Sequence, residues 1–242
     1  MNDKRMSSEN RKMCILSAVR GLFSKKGMQA TSKEISEVAG VSEALIYKHF
    51  GSKEGLYQAL VEESCRSIDD IGNELAEQEA STTVLVCATY LLIHIKISGL
   101  NHDENSMALT PEESHGLITH SLLTDGKVAE QFFDTGLGPW VPYFVDGLKA
   151  AKKSGDLSIT DRDLESLVWM AHHSILGINM TRMPEPPINK MNLRNEDQLK
   201  DKTLHFMLRG MGLKEEAIQR CIQTNEFKNF KNKLNQSKRS HP

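Results

Sequence analysis

Between Ser42 and His49 the chain sets out a hydroxyl, a carboxylate, a methyl, a phenol, an ammonium and an imidazole. At helical spacing Leu45, Ile46 and Phe50 form an inward stripe, which leaves Ser42, Glu43, Ala44, Tyr47, Lys48 and His49 on the other faces. Such groups suit the surface of a nucleic-acid duplex. The Glu43 carboxylate repels phosphate but can accept from cytosine N4, Ala44 can meet a thymine methyl, and Lys48 can hold phosphate or guanine. Tyr47 and Lys53 can fix register on the backbone without reading sequence.

The element that must support this face precedes it. Ile35, Val38 and Ala39 share one side of a short helix that stops at Gly40, and Ser42 can cap the helix that follows. This is helix-turn-helix spacing, although a helical hairpin inside an ordinary all-helical protein has the same pattern. A helix this short is not stable alone, so neighbours must hold it. Thr31 and Glu34 fit a capping box that fixes where the first helix of the pair begins, and its N-terminal N–H groups favour an anion beside Thr31. Upstream, Ile15, Val19, Leu22 and Phe23 recur at helical spacing from Glu9 to Lys26, with Ser7 or Ser8 to cap and Gly27 to stop.

At these residues the chain resembles the TetR family of bacterial transcription regulators. The likeness runs from about Ile15 to Leu60: Ile15, Ala18, Leu22-Phe23, Lys26-Gly27, Ala30-Thr31-Ser32, Ile35, Ala39-Gly40-Val41-Ser42, Leu45-Ile46-Tyr47, His49-Phe50, Ser52-Lys53-Glu54 and Leu56-Tyr57. Between Gly27 and Ile35 the chain is one residue shorter than the usual pattern, which calls for a tighter loop. The resemblance implies DNA-backbone contacts at Thr31, Tyr47, His49 and Lys53, and base contacts at Ser42, Glu43 and Ala44. Lys48 joins the base-reading set from the residues themselves.

Composition limits the alternatives. A net charge of -2 and pI near 6.5 exclude a protein that coats nucleic acid, so DNA affinity must come from a local patch. Residues 4 to 53 supply one, with ten basic residues against four acidic ones. Cys14, Cys65, Cys87 and Cys221 lack metal spacing and follow no signal peptide, as in a reduced, cytoplasmic protein. The apolar run Val84 to Ile97 contains His94 and Lys96 and is too short to span a bilayer. No phosphate loop, dinucleotide fingerprint, nucleophile elbow or zinc pattern occurs, so the expectation is no enzyme, no metal and no cofactor. Adjacent His172 and His173 point about 100° apart on a helix and do not share a metal.

The remainder reads as helices. Residues 1 to 8 are a flexible basic arm, with Lys4 and Arg5. Ser52 can cap a continuous connecting helix over 53–79, about 40 Å long at 1.5 Å per residue. A buried helix covers 81–98, a polar loop Gly99 to Ser114, and helical pattern returns at 116–123 and 127–133 before Gly136, Gly138, Pro139 and Pro142 break it. Trp140 and Tyr143 on the broken segment, with Trp169 and His172 further on, are candidate pocket residues for a small molecule, and a packed core explains them equally. Thr160 and Asp163 suggest a capping box before a helix from Asp161 to Arg182. Further helices follow over 195–210 and 214–230, then a disordered basic tail carrying Lys231, Lys233, Lys238 and Arg239.

The expected protein is all-α: a three-helix DNA-binding domain at 9–52, then a helical ligand-binding and dimerisation domain at 53–230, ending in the tail 231–242. By resemblance, the late helices pair with their twin across a two-fold axis. The expected function is a homodimeric repressor of a palindromic operator, released by a small-molecule effector and independent of membranes. The alternatives are a helical enzyme or ligand-binding protein with a helix-turn-helix-like front, and a ligand-independent activator.

Overall fold

The computed structural model describes residues 7–66, 69–99, 109–158, 163–188, 190–191, 193 and 195–236, with backbone alone at 64–66 and 69–71. Thirteen α-helices are assigned among the described residues, and the only β pairing there is an isolated bridge between Leu157 and Leu213. The chain divides into two compact units, one from 1–67 and 102–136, the other from 68–101 and 137–242.

The first unit begins with α1 (Ser8–Lys26), capped by Ser7 and ended by Gly27, where φ is 51°. A short 3-10 turn over Gly27–Gln29 supplies the tight loop the sequence calls for. Then come α2 (Ser32–Ala39), α3 (Glu43–Phe50) and α4 (Lys53–Arg66). Ile15, Leu16, Val19 and Phe23 of α1 are buried, as are Leu56, Tyr57, Leu60 and Val61 of α4. Phe23 meets Tyr57 edge-on with ring centroids 4.8 Å apart.

Two later helices complete this unit: α7 (Pro111–Leu122) and α8 (Lys127–Phe132). α7 packs along α1, and α8 along α4. Tyr57 donates to the Leu117 carbonyl at 3.4 Å. A Cβ built on Gly116 would lie 2.5 Å from Ser24 Oγ and nearer still to the Ser24 carbonyl, so the α1–α7 approach requires a glycine there. Arg20 of α1 faces Glu113 of α7 at 3.4 Å. α7 starts earlier than its apolar pattern suggests, because Thr110 and Glu113 form a capping box around Pro111.

The second unit is built about α6 (Thr82–Ser98), most of whose residues are buried. α5 (Asp69–Ala76), α9 (Val141–Lys153), α10 (Leu164–Met180), α11 (Glu196–Gly210), α12 (Glu215–Gln223) and α13 (Asn225–Gln236) pack against it. A π turn over Phe133–Leu137 and a 3-10 turn over Gly138–Trp140 lead into α9. Buried Asp156 accepts from Thr82 at 2.7 Å, Ser154 at 2.9 Å and Arg220 at 2.6 Å, tying α6, the end of α9 and α12. Those donors outweigh burial and hold its carboxyl below the usual carboxylate range.

Several expectations need correction. Val38 is exposed rather than packed beside Ile35: α2 has only two turns, and Val38 lies about 60° round it from Ile35. α10 is capped by Asp163 itself, which accepts from Ser166 N at 3.1 Å, while Thr160 and Asp161 lie outside the described residues. The helix expected over 214–230 is two, because Thr224 takes an extended backbone and its hydroxyl accepts from Phe227 N to open α13. Lys231 and Lys233, expected in a loose tail, are helical and paired with Asp201 and Glu74. The expected helix over 53–79 is recorded as α4 and α5, and its continuity through residues 67–68 lies outside the described residues, as do Lys4, Arg5, Lys238 and Arg239.

Candidate nucleic-acid interface

The first unit presents α3 as its outer helix. Ser42 caps it, accepting from Leu45 N at 3.3 Å, after Gly40 has ended α2 in the left-handed region at φ 64°. Ile46 is buried, whereas Ser42, Glu43, Ala44 and Lys48 are exposed and Tyr47 and His49 half-buried. Of the side chains read from sequence as base readers, Glu43 and Ala44 are therefore exposed at the opening of α3 beside the capping Ser42, and Lys48 is exposed in its last turn. Among the described residues neither Glu43 nor Lys48 has an ion-pair partner.

The candidate backbone contacts differ from one another. Tyr47 shares a hydrogen bond with Ser32 Oγ, so its phenol is fixed across the α2–α3 angle. Lys53 sends its ammonium to the Met28 carbonyl at 2.7 Å and the Ala30 carbonyl at 3.2 Å, leaving one N–H for an external acceptor. The lysine thus closes the loop before α2 as well as offering charge. Thr31 completes the expected capping box: its hydroxyl accepts from Glu34 N at 3.2 Å while its backbone N–H donates to Glu34 Oε2 at 2.9 Å, and the hydroxyl donates to the same oxygen at 3.0 Å. Lys26 pairs with the same carboxylate, and these donors push the Glu34 pKa down to about 2.

Charge in this unit is partly consumed. Lys12 pairs with Glu9, Lys33 with Glu37 and Arg20 with Glu113. Among the described residues Arg11, Lys25 and Lys48 stand without ion pairs. The Ser32–Tyr47 bond and the Lys53 clamp span 15 and 25 residues, and no local sequence pattern announces either.

The comparisons with known proteins bear on this unit first. Residues 15–60 match the sequence pattern described as bacterial regulatory proteins, tetR family. By sequence, residues 15–60 are a TetR-family N-terminal domain. Over 48 residues it is 52% identical to YvkB, an uncharacterized HTH-type transcriptional regulator of Bacillus subtilis; that match covers 19% of this chain and spans a quarter of YvkB. A longer match, 23% identical over 172 residues, covers 70% of this chain and 81% of KstR2, an HTH-type transcriptional repressor of Rhodococcus jostii. The fold matches that of Bacillus subtilis FadR in complex with stearoyl-CoA, with TM-score 0.58 and 15% identity, covering 82% of this chain and 98% of that one. The chain thus carries a TetR-type helix-turn-helix at its N-terminus, followed by a larger helical remainder.

In the second unit the four candidate pocket residues fall into two clusters. Trp140 lies against Gly72, and Tyr143 donates to the Leu75 carbonyl at 2.8 Å, joining α5 to α9. Trp169 and His172 meet edge-on, with centroids 6.1 Å apart on α10. Neither of two cavities in this unit is lined by these four. One, of about 260 Å³, lies between the end of α10 and the start of α11 beside Arg182 and Glu196. The other, of about 500 Å³, lies by Ser81, Lys153, Asp156 and Arg220. No described helix is long and apolar enough to cross a membrane, and no three described His, Cys, Asp or Glu residues gather to hold a metal.

Proposed function

We propose that the protein is a homodimeric repressor that binds a two-fold symmetric operator and leaves it when a small molecule binds the second unit. The observation that carries DNA reading is the exposed set Ser42, Glu43 and Ala44 at the opening of α3, with Lys48 exposed in its last turn, on a helix whose only fully buried residue is Ile46. Glu43 and Ala44 select bases, and Tyr47, His49 and Lys53 fix register on phosphates. Dimerisation is supported by α10 and α11, which pack together and leave Met170 at 68% and Phe206 at 62% exposure, with open space around the Cβ position of Gly177 two turns along α10 from Met170. Large apolar groups on neighbouring helices suit a four-helix contact with a second copy. Two heads related by that axis, about 34 to 36 Å apart, read two half-sites one helical turn apart.

Release requires an effector that binds the non-DNA state more tightly than the DNA-bound one. FadR was solved with stearoyl-CoA, which supports a ligand-binding role for the corresponding unit here. Trp140, Tyr143, Trp169 and His172 are the residues to mutate for it. The test is selection from a random duplex pool at about 0.15 M ionic strength, a salt level at which nonspecific binding is screened. A recovered motif with two-fold symmetry is expected. Enrichment of no motif by folded protein overturns the proposal.

A further inference from the structure

The first turn of α2 holds two neighbouring hydroxyls, Thr31 and Ser32, and only one of them can serve a phosphate. Thr31 has a single proton, which it donates to Glu34 Oε2 at 3.0 Å, and it also accepts from Glu34 N. The carboxylate beside it is ionised through the neutral range, since Lys26 and Thr31 hold its pKa near 2. A phosphate approaching Thr31 meets a spent donor and a negative charge. Ser32 is differently placed. Its Oγ shares a hydrogen bond with the Tyr47 hydroxyl of α3, and both side chains are half-buried.

Two hydroxyls that share one hydrogen bond use one proton between them and keep the other. Whichever oxygen donates internally, one O–H remains to point outward, and it is polarised by the bond behind it. We propose that Ser32 and Tyr47 act as a single phosphate-donor pair, with Ser32 as the residue that positions the Tyr47 phenol, and that Thr31 serves α2 as a cap rather than as a DNA contact. This rests on the DNA-binding reading above and reassigns one of its contacts.

The experiment uses full-length protein and the operator recovered by selection, with phosphates replaced one at a time by neutral methylphosphonate. Wild type should lose about tenfold in affinity at one phosphate of each half-site, as expected for a hydrogen bond to a charged group. Tyr47→Phe and Ser32→Ala should each bind the unmodified operator more weakly and show no further loss at that phosphate. Their double variant should bind no worse than Tyr47→Phe. Ser32→Thr, which keeps the hydroxyl, should restore the penalty, and Thr31→Val should keep it while lowering thermal stability through the lost cap. A penalty that survives Ser32→Ala, or that vanishes in Thr31→Val, overturns the pairing. Failure of the wild type to bind any selected duplex overturns the DNA-binding reading itself, and with it this proposal.

Discussion

Replacing Gly116 with alanine should destabilise the DNA-binding unit, while the same change at Gly21 should stabilise it. Both glycines are helical, so each gains about 0.8–1.0 kcal/mol of helix propensity when a methyl is added. Gly21 has nothing within 4 Å of the new methyl. At Gly116 the methyl would sit 2.5 Å from Ser24 Oγ and 3.1 Å from Ser24 C, with the carbonyl oxygen closer again. Backbone cannot swing aside, so α7 must retreat from α1 by about 1 Å to reach ordinary contact. Overpacking of this kind costs about 1–3 kcal/mol. Propensity cancels between the two variants, so they should differ by that packing cost alone. The assay can resolve the units, because Trp140 and Trp169 both lie in the second one. Urea unfolding followed by tryptophan emission should be the same for both variants, while hydrogen exchange in α1 should accelerate in Gly116→Ala and slow in Gly21→Ala. If α1 exchanges equally in the two, the close α1–α7 approach is not what holds this unit.

Glu34 links stability to acidity: its folded pKa of about 2 lies below the ordinary 4.5, so its contribution is complete above about 4.5 and is lost as pH falls toward 2. Glu34→Gln should remove that part of the acid dependence, as measured by melting temperature against pH. Lys53→Met should loosen the loop at Met28 and Ala30, weakening operator binding, and if its remaining N–H meets one phosphate it should flatten the salt slope by about one unit. A preserved slope with weakened binding assigns Lys53 to the loop alone. Phe206→Asp should shift the protein to monomer in sedimentation and cost operator affinity, whereas an unchanged dimer would place the two-fold contact elsewhere. Glu43→Ala should change the preferred base in a repeat selection rather than lower affinity uniformly.

The sequence discloses the local features of this fold well. Caps act within four residues, and so Ser7, Thr31 with Glu34, and Ser42 could be expected from side-chain type, as could the stops at Gly27 and Gly40. Thr224 had a readable signal too, a hydroxyl with Glu226 in the turn that follows, but the unbroken amphipathic pattern masked it. Val38 shows the limit of periodicity, which cannot say how wide a stripe a two-turn helix buries. The interface is similarly divided. The opening of α3 was legible because it depends on one helix's phase, whereas Ser32–Tyr47 and the Lys53 clamp depend on how separate elements meet.

The discontinuity of the first unit bears on how the molecule is made and engineered. α1 to α4 are synthesised first, yet α7 and α8 emerge only after Pro111, once α5 and α6 have been translated. At roughly 5–20 residues per second, the nascent head waits on the order of several seconds for its last helices, with the α1 face that α7 will cover still open. A chaperone bound at that stage would shield this seam. For the same reason a head excised at residue 66, or grafted onto another regulator as a contiguous piece, leaves behind two of its own walls, and a chimera that keeps operator binding will need residues 102–136 carried with it.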